Sequence, residues 1–301
     1  MIKFNIAMKD KLKITLFVFV LIGILIPLNV FAQGQTIKRK NIRKSKVEQK
    51  STYNKSSRNE SKKISEAERQ LVIDNLINNM VYVHGGSFIM GATPEQESNA
   101  EDDEKPAHQV TLSSYSIGRY EVTQSEWKSI MGNNPSDHKG DKFPVENVSW
   151  EECQTFIDRL NSITGKHFRL PTESEWEFAA RGGTLSKGYR YAGSNNIKSV
   201  AWYNPNYSFY TDTKEKTHIV GSKQPNELGL YDMSGNVAEW CEDWYEEKNY
   251  QMQTNQKPSY RVVRGGSFFT KADDCRTSNR SYNEPNGTWG HVTSIGFRLA
   301  M

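Results

Sequence analysis

The clearest indication of local structure in this 301-residue chain is the stretch Arg169-Leu-Pro-Thr-Glu-Ser-Glu-Trp-Glu177. Glu175 follows Thr172 by three residues, which is the spacing of a capping box. In that motif the hydroxyl caps the helix start and the carboxylate reaches back to it. Pro171 lies just before this start, and Gly182-Gly183 follow at the place where glycine commonly ends a helix. The stretch therefore predicts a short helix between Thr172 and Gly182.

Two further helices have the same capping signature. The pairs are Thr123 with Glu126, for a helix to about Met131, and Ser149 with Glu152, for a helix to about Leu160. One face of the second helix is apolar, and its residues are Trp150, Cys153, Ile157 and Leu160. We therefore interpret Cys153 as a buried thiol.

Short alternating runs predict strands around these helices. Residues 80–84 and 87–90 are typical of a hairpin that turns over Gly85-Gly86. The other strand candidates are residues 113–122, 261–264 and 296–299. Residues 182–236 have almost no periodicity, so we expect a bound metal, a disulfide or packed aromatic side chains to hold them. The pattern predicts an α+β fold with few regular elements and long organised loops.

The N-terminus has the three parts of a secretory signal. Lysines precede an apolar run from Ile14 to Ile26, and small residues lead to a cleavage site after Ala32. An uncleaved membrane anchor is the alternative, although this run of 13 residues is shorter than the roughly 20 that span a bilayer. We expect residues 1–32 to be a signal peptide and the protein to be exported, either to the periplasm or as a secreted protein.

Residues 33–79 form a basic segment before the domain. Eleven Lys or Arg against two Glu give residues 36–63 a net charge of +9, with too few large apolar side chains to offset the entropy cost of ordering. We interpret the segment as a largely disordered linker that ends in a short helix over residues 64–79. Contact with an anionic surface is the alternative. Export argues against a nucleic-acid partner, and residues 64–301 carry a net charge of about −8.

Ten short motifs between Met80 and the C-terminus follow an order that resembles the sulfatase-modifying-factor domain family, which is also called the formylglycine-generating enzyme family. They are Gly85–Gly91 (GGSFIMG), Tyr120–Thr123 (YEVT), Phe143–Val145 (FPV), Val148–Trp150 (VSW), Arg169–Glu177 (RLPTESEWE), Pro225–Asn226 (PN), Gly229–Asn236 (GLYDMSGN), Glu239–Trp240 (EW), Arg264–Ser267 (RGGS) and Gly296–Arg298 (GFR). The resemblance implies a C-type-lectin-like α+β fold over residues 80–301, in agreement with the patterns of helices and strands.

The resemblance also implies a position for a catalytic site. Members of this family include an oxidase that converts a sulfatase cysteine to formylglycine with copper(I), which is held by two thiolates five residues apart. The matching positions here are Thr270 and Cys275. Copper(I) is a soft ion that prefers thiolates, and a neutral hydroxyl does not replace one. Cys275 and Ser267 thus remain as the candidate catalytic residues of a remnant site, and we expect no copper. Three neighbouring positions also depart from the family pattern, namely Ala238, Asp274 and Ser294.

Calcium is the metal ion that the sequence predicts. Calcium takes six to eight oxygen ligands, and the run from Asp232 to Glu239 offers the side chains of Asp232, Asn236 and Glu239. The resemblance implies a calcium site in the same loop, with Gly235 and Val237 among its ligands. The alternative is that these residues only turn and cap the backbone.

Two of the three cysteines leave a question open. An exported protein meets an oxidising compartment, so a disulfide between Cys241 and Cys275 is plausible. The alternatives for Cys275 are a free thiol and the remnant of a metal ligand. The spacing of the two residues in the sequence does not decide between these alternatives.

Two functions from different classes are consistent with these observations. In the first, the protein is a binding or scaffold module of the cell envelope, whose partner is an unknown protein or envelope ligand. In the second, it is an active oxidoreductase that converts a sulfatase cysteine to formylglycine. Polar and aromatic residues before the last strand are candidates for a ligand surface, namely Tyr282, Asn283, Glu284, Trp289 and His291.

Overall fold

The computed structural model describes residues 65–206, 215–246, 259–287 and 292–301. Five α-helices occur in these ranges, namely α1 (Glu66–Asn78), α2 (Gln124–Met131), α3 (Trp150–Thr164), α4 (Glu173–Ala180) and α5 (Ile197–Val200). The eight strands there are β1 (Met80–Val83), β2 (Gly86–Met90), β3 (His108–Leu112), β4 (Tyr115–Gly118), β5 (Ala238–Trp244), β6 (Arg261–Arg264), β7 (Arg280–Asn283) and β8 (Ile295–Gly296). Long irregular segments connect them, so the predicted α+β fold with few regular elements is confirmed.

The strands form three small sheets. β1 pairs with β4 and β2 pairs with β3, both in the antiparallel direction. The third sheet has the order β7-β6-β5-β8, and its β5–β8 pair is parallel. Two strands of this sheet, β6 and β8, correspond to predicted strands, whereas the sequence patterns did not predict β5 or β7.

The three predicted capping boxes are all present. Glu126, Glu152 and Glu175 each donate their backbone N–H to the capping hydroxyl three residues earlier and accept the N–H of that residue with their carboxylate. Helix α3 runs four residues beyond the predicted Leu160, to a left-handed Gly165. Its apolar face is buried at Cys153, Ile157 and Leu160, which confirms Cys153 as a buried thiol.

The predicted hairpin over Gly85-Gly86 is wrong. Its two strands, β1 and β2, belong to different sheets. A Cβ on Gly85 would lie 2.4 Å from the carbonyl oxygen of Leu112, so the chain passes close to the end of β3 here. The backbone N–H of Gly85 donates to the Ser114 hydroxyl at 3.0 Å. The glycine pair therefore lets the chain cross from one sheet to another, rather than turn back on itself.

The main core lies between α1, α2, α3 and the third sheet. Its aromatic centre is a cluster in which Trp127 stacks on Phe156 with 5.4 Å between ring centroids, and Phe297 contacts both rings edge-on. Helix α1 contributes Ile73 and Leu76 to the same core, so it packs with the domain that follows it. None of the described helices is both long and apolar enough to cross a bilayer.

Buried ion pairs tie the irregular segments together. Four arginines with almost no exposed surface each contact a glutamate from a distant part of the chain. The pairs are Arg264–Glu177, Arg276–Glu104, Arg280–Glu173 and Arg298–Glu239. The sequence patterns led us to expect a metal, a disulfide or aromatic packing in this role. The arginine pairs were missed because nothing in the sequence marks which charges are buried.

The predicted signal peptide and most of the basic linker lie outside the described residues. Of the linker, the structure describes the final part from Ser65, which contains the predicted helix as α1. Ile73 and Leu76 of that helix are core residues, so the packed unit includes α1 in addition to the predicted domain from Met80.

Replacing the capping residue of α3, in Ser149→Ala, is expected to lower the free energy of unfolding by about 1 kcal/mol. The substitution leaves the N–H of Glu152 without the hydroxyl that accepts it at 3.1 Å. Urea denaturation monitored by far-UV circular dichroism measures the difference. Ser162→Ala, at an exposed position of the same helix, is the matched control and is expected to change stability by less than about 0.5 kcal/mol. Equal losses for both variants would contradict the assigned cap.

Candidate functional site

The loop from Asp232 to Glu239 is held in a conformation that few residues adopt. Asp232 and Asn236 have φ values of 56° and 64°, in the left-handed region. A Cβ on Gly235 would lie 2.2 Å from the carbonyl oxygen of Trp202, so the close approach requires glycine. The resulting tight turn leaves the side chains of Asp232 and Glu239 buried.

Both carboxylate oxygens of Glu239 accept hydrogen bonds from other side chains of the protein. Its Oε1 accepts from Arg298 Nη2 at 2.6 Å, and its Oε2 accepts from Arg298 Nε at 2.6 Å. Trp176 Nε1 also donates to Oε2, at 2.7 Å. A fork-to-fork contact of this kind is among the stronger ion pairs in proteins. Glu239 thus joins β5, the C-terminal segment and helix α4.

A second buried carboxylate, that of Glu121, holds the same turn by hydrogen bonds. Glu121 accepts the side-chain amide of Asn236 at 2.6 Å and the backbone N–H of Val237 at 3.0 Å. Burial, and then the nearby carboxylates of Asp232 and Glu239, raise the pKa of Glu121 well above its usual range. The sequence patterns did not assign a role to Glu121, although it lies in the Tyr120–Thr123 motif.

Asp232 has an unsatisfied oxygen in this buried cluster. Its Oδ2 accepts the N–H of Gly221 at 2.7 Å, whereas Oδ1 is buried without a hydrogen-bond partner. Burial raises the pKa of Asp232 to about 6. Of the buried carboxyl groups of Glu121, Asp232 and Glu239, only that of Glu239 is paired with the guanidinium of Arg298. The unsatisfied oxygen of Asp232, beside two further carboxyl groups, fits a bound cation.

The structure therefore brings the predicted calcium ligands together, but they differ in whether their oxygens are available to an ion. Arg298 occupies both oxygens of Glu239, and Asn236 already bonds to Glu121 and to the N–H of His218. Among the described residues, no three His, Cys, Asp or Glu side chains converge as a metal-binding group. A calcium ion here would depend on Asp232 and on the carbonyl groups of Gly235 and Val237. Calcium stays a prediction.

The remnant oxidase position lies after β6. Thr270 and Cys275 are neighbours, with 3.9 Å between Oγ1 and Sγ. The Thr270 hydroxyl accepts the N–H of Ser267 at 2.9 Å, and the Ser267 hydroxyl accepts the N–H of Phe269 at 3.2 Å. The structure thus brings together the three residues that the sequence placed here, and their side chains cap a turn of the backbone.

The Cys275 thiol is not prepared for thiolate chemistry. Its side chain is fully buried, and burial raises its pKa to about 12. Its polar contacts are the Thr270 hydroxyl at 3.9 Å and the carbonyl oxygen of Lys271 at 3.7 Å. Because thiolate is the form that binds soft metals, a thiol with this pKa is a poor ligand at neutral pH. The residues present do not fit copper(I).

The described residues show whether Cys241 and Cys275 form a disulfide. All three cysteines are free and buried. Cys241 packs in the core cluster around Trp176 and Leu230, whereas Cys275 packs in a separate cluster with Tyr191 and Val200. The disulfide between Cys241 and Cys275 is therefore absent, and the free-thiol alternative holds for Cys275.

A pocket of about 850 Å³ begins at the remnant position. Thr270, Gly266 and Asp274 line one part of it, and Tyr245 and Tyr282 line another. Its remaining lining residues are Glu101, Asp102, Asp103, Ala238, Val263, Arg264, Gly265, Asn279, Arg280 and Ser281. The volume lies in the range of small-molecule and side-chain binding sites.

The two arginines of this pocket are already paired. Arg264 contacts Glu177 and donates to three backbone carbonyl groups of residues 277–279. Arg280 forms a fork with Glu173, at 2.6 and 2.9 Å. Their positive charges are balanced inside the protein, so the unbalanced charge of the pocket lining comes from its carboxylates.

Only part of this pocket was predicted from the sequence. Tyr282 lines it and is 49% exposed. Asn283 and Glu284 follow Tyr282 but do not line the pocket. Trp289 and His291 lie outside the described residues. The acidic run Glu101–Glu104 and Tyr245 were missed, although the run of four acidic residues was visible in the sequence.

The mixed architecture and the arrangement of these motifs define a sulfatase-modifying-factor type of domain. A model of the family described as "Sulfatase-modifying factor enzyme 1-like domain" matches residues 65–301. The chain belongs to this family.

Relatives with different names share the domain. "Chaperone protein LppX" from Paenibacillus barcinonensis is 33% identical over 254 residues, covering 70% of this chain and 85% of that protein. A formylglycine-generating enzyme from Streptomyces coelicolor is 33% identical over 196 residues, covering 60% of this chain and 59% of that protein. The solved structure of Treponema denticola variable protein 1 superimposes with a TM-score of 0.60 at 32% identity, covering 73% of this chain and 94% of that chain.

The state of the thiols is directly measurable. With a thiol-reactive disulfide reagent at pH 7, the folded protein is expected to show no rapid reaction, because Cys153, Cys241 and Cys275 are buried. Raising the pH to 9 should add little rapid reaction, because burial raises the pKa of Cys275 to about 12 and keeps it protonated there. After denaturation without reductant, all three cysteines should react. A count of one thiol would instead reveal a disulfide.

Proposed function

We propose that this protein is an exported binding module of the cell envelope that uses a sulfatase-modifying-factor domain without copper-dependent oxidase activity. The observation that carries the proposal is the remnant site. There, the hydroxyl of Thr270 lies 3.9 Å from the buried thiol of Cys275, in the place of a second thiolate. The pocket beside this pair supplies a site for a ligand.

The chemistry of the pair supports loss of the oxidase. Copper(I) prefers two soft sulfur ligands, and Thr270 offers a neutral oxygen. Its hydroxyl already accepts the N–H of Ser267, which ties it to the backbone turn. The remaining thiol would have to ionise in an apolar environment that disfavours charge. The family domain thus keeps its fold while its reaction centre lacks a ligand.

The names of relatives are consistent with a role in binding. One relative is named a chaperone and a solved neighbour is named a variable protein, and neither name denotes an oxidase. The formylglycine-generating enzyme from Streptomyces coelicolor supports the alternative, an active oxidoreductase that acts on a sulfatase cysteine. Retention of Cys275 and Ser267 is the observation in this chain that favours the alternative. The missing second thiolate weighs more heavily, because the metal cannot be held without it.

Export and the envelope location are part of the proposal. They rest on the signal-like residues 1–32, and the mature protein would begin near Gln33. The basic residues 36–63 would then either act as a linker or contact an anionic surface of the envelope. The partner of the module is an unknown protein or envelope ligand, and nucleic acid is not expected.

Calcium is proposed as a structural ion of the Asp232–Glu239 loop. The unsatisfied Asp232 oxygen and the excess of buried carboxylates support it. When bound, the ion would neutralise the carboxylate of Asp232, because Arg298 is already paired with Glu239. It would therefore stabilise the turn that the bond between Glu121 and Asn236 also holds.

Restoring the missing ligand tests the loss of the oxidase. The wild-type protein is expected to bind no stoichiometric copper(I) and to convert no cysteine-containing sulfatase peptide. Thr270→Cys is expected to bind about one equivalent of copper(I), because it places a second thiol beside Cys275. Thr270→Ser is the matched control and should behave as the wild type does. Oxygen-dependent turnover of the peptide by the wild-type protein with copper(I) would overturn the proposed function.

Removal of calcium tests whether a bound ion stabilises the domain. A chelator is expected to lower the melting temperature by about 5–10 °C if the ion is present at about one hundred times its dissociation constant. Asp232→Asn should lower the melting temperature and abolish the effect of the chelator. Asp158→Asn, at an exposed site on α3, should leave the effect unchanged. Differential scanning calorimetry provides the measurement, and an identical melt with and without chelator would remove calcium from the proposal.

A further inference from the structure

The segment that connects helices α2 and α3 has no regular structure of its own. Residues 132–149 all belong to the described part of the chain and contain neither a helix nor a strand. Their polar backbone groups therefore need partners from side chains. Gln124, a buried residue at the start of α2, accepts the N–H of Gly140 at 3.0 Å. Its amide also donates to the carbonyl oxygens of His138 and Pro144, at 2.7 and 3.1 Å.

Glu146 holds the same segment through a buried carboxyl group. Its side chain has no exposed surface. Its Oε1 accepts the N–H of His138 at 2.8 Å, and its own backbone N–H donates to the Ser136 hydroxyl at 3.1 Å. Its Oε2 is buried and has no hydrogen-bond partner. Because burial without full hydrogen bonding disfavours a charged group, this position favours a neutral carboxyl group.

The charged and titratable groups near Glu146 do not supply a firm counter-charge. His138 Nδ1 lies 3.5 Å from Oε1, which is too long for a good hydrogen bond, and is itself buried without a partner. The ammonium of Lys139 donates to the carbonyl oxygen of Asn134 at 2.9 Å. Burial raises the pKa of Glu146 to about 7. The carboxylate of Asp137 acts in the same direction, whereas the backbone N–H groups of residues 137 and 138 and the charge of Lys139 oppose it.

The imidazole of His138 connects the segment to the turn that carries Thr270. Its ring contacts that of Phe268 edge-on, with 5.2 Å between the ring centroids. The backbone N–H of Phe268 donates to the carbonyl oxygen of Asn236 at 2.8 Å, so this aromatic residue also belongs to the neighbouring loop. Gln124 and Phe268, which α2 and the turn contribute to these contacts, are uncharged. Loosening of the segment would therefore uncover the ring of Phe268.

We propose that Glu146 makes the closure of residues 133–147 depend on protonation. When its carboxyl group is neutral, the segment is closed over Phe268, and when the group ionises, the segment loosens. The physical reason is that the closed segment holds the group away from water, whereas the loosened segment lets water solvate the charge. Because the proposed export places the protein outside the cytoplasm, the pH around it can cross neutrality.

Hydrogen exchange followed by mass spectrometry tests the closure in the wild-type protein. The pKa of Glu146 is about 7 in the closed segment and returns towards 4.5 when the segment opens, so closure takes up a proton and weakens as the pH rises through 7. After correction for the intrinsic exchange rate, protection of the amides in residues 133–147 is expected to fall about tenfold between pH 6 and pH 8. Protection within helix α3 is the internal reference and should change by less than about twofold. Protection of residues 133–147 that stays constant or rises with pH would overturn the proposal.

A variant assigns the effect to the carboxyl group. Glu146→Gln keeps the shape and the oxygen that accepts the N–H of His138, but it does not titrate. Protection of residues 133–147 in this variant is expected to differ by less than about twofold between pH 6 and pH 8. The fall in melting temperature over the same range should be smaller than that of the wild type by about 3–5 °C. Glu151→Gln, which removes an exposed carboxylate on α3, is the matched control and should keep the wild-type pH dependence.

The results with the variant also decide against the proposal if they differ from these. If Glu146→Gln kept the full pH dependence of the wild type, another group would be responsible and Glu146 would not control the segment. If Glu146→Gln does not fold, which circular dichroism shows, the exchange of the wild-type protein decides by itself. Neither measurement involves copper or a ligand, so the outcome is independent of the proposed function.

Discussion

The buried ion pair between Glu239 and Arg298 is the contact on which much of the fold depends. It joins strand β5 to the C-terminal segment, and Trp176 adds helix α4 to the same carboxylate. Breaking a buried pair by removing one partner costs about 3–5 kcal/mol, because a charge is then left without compensation inside the protein. A domain with three small sheets has few strand pairings to specify its arrangement. Directed charge contacts of this kind restrict how its irregular segments can pack.

The same principle applies across the domain. Four buried arginines each pair with a glutamate far away in the chain, and three of them also donate to two or more backbone carbonyl groups. Such pairs satisfy polar backbone that has no helix or sheet partner, which is the usual difficulty of long buried loops. The Asp232–Glu239 turn is stabilised directly by buried glutamates. Glu239 anchors its end, while Glu121 binds the side chain of Asn236 and the backbone of Val237.

This scaffold explains how the family fold can persist when the reaction centre changes. Thr270 and Cys275 lie on a turn after β6, and neither belongs to the network of arginine pairs. The hydroxyl of Thr270 stabilises this turn, because it accepts the N–H of Ser267. The pocket beside the turn is likewise formed by residues that the network positions. The cavity beside Thr270 is lined by acidic and aromatic side chains, among them Asp103, Tyr245 and Tyr282.

The sequence by itself determined the family, the α+β class and the starts of helices α2, α3 and α4. These features depend on contacts between residues three or four positions apart, which a linear pattern records. It also identified Cys153 as a buried thiol, and it predicted that Thr270 stands where the family has a metal ligand. Tertiary structure decided the pairing of β1 with β4 and of β2 with β3, the separation of Cys241 from Cys275, and the joining of Glu101–Asp103 with Tyr245 and Tyr282. These outcomes depend on contacts between segments far apart in the chain, where burial selects which charges and strands meet.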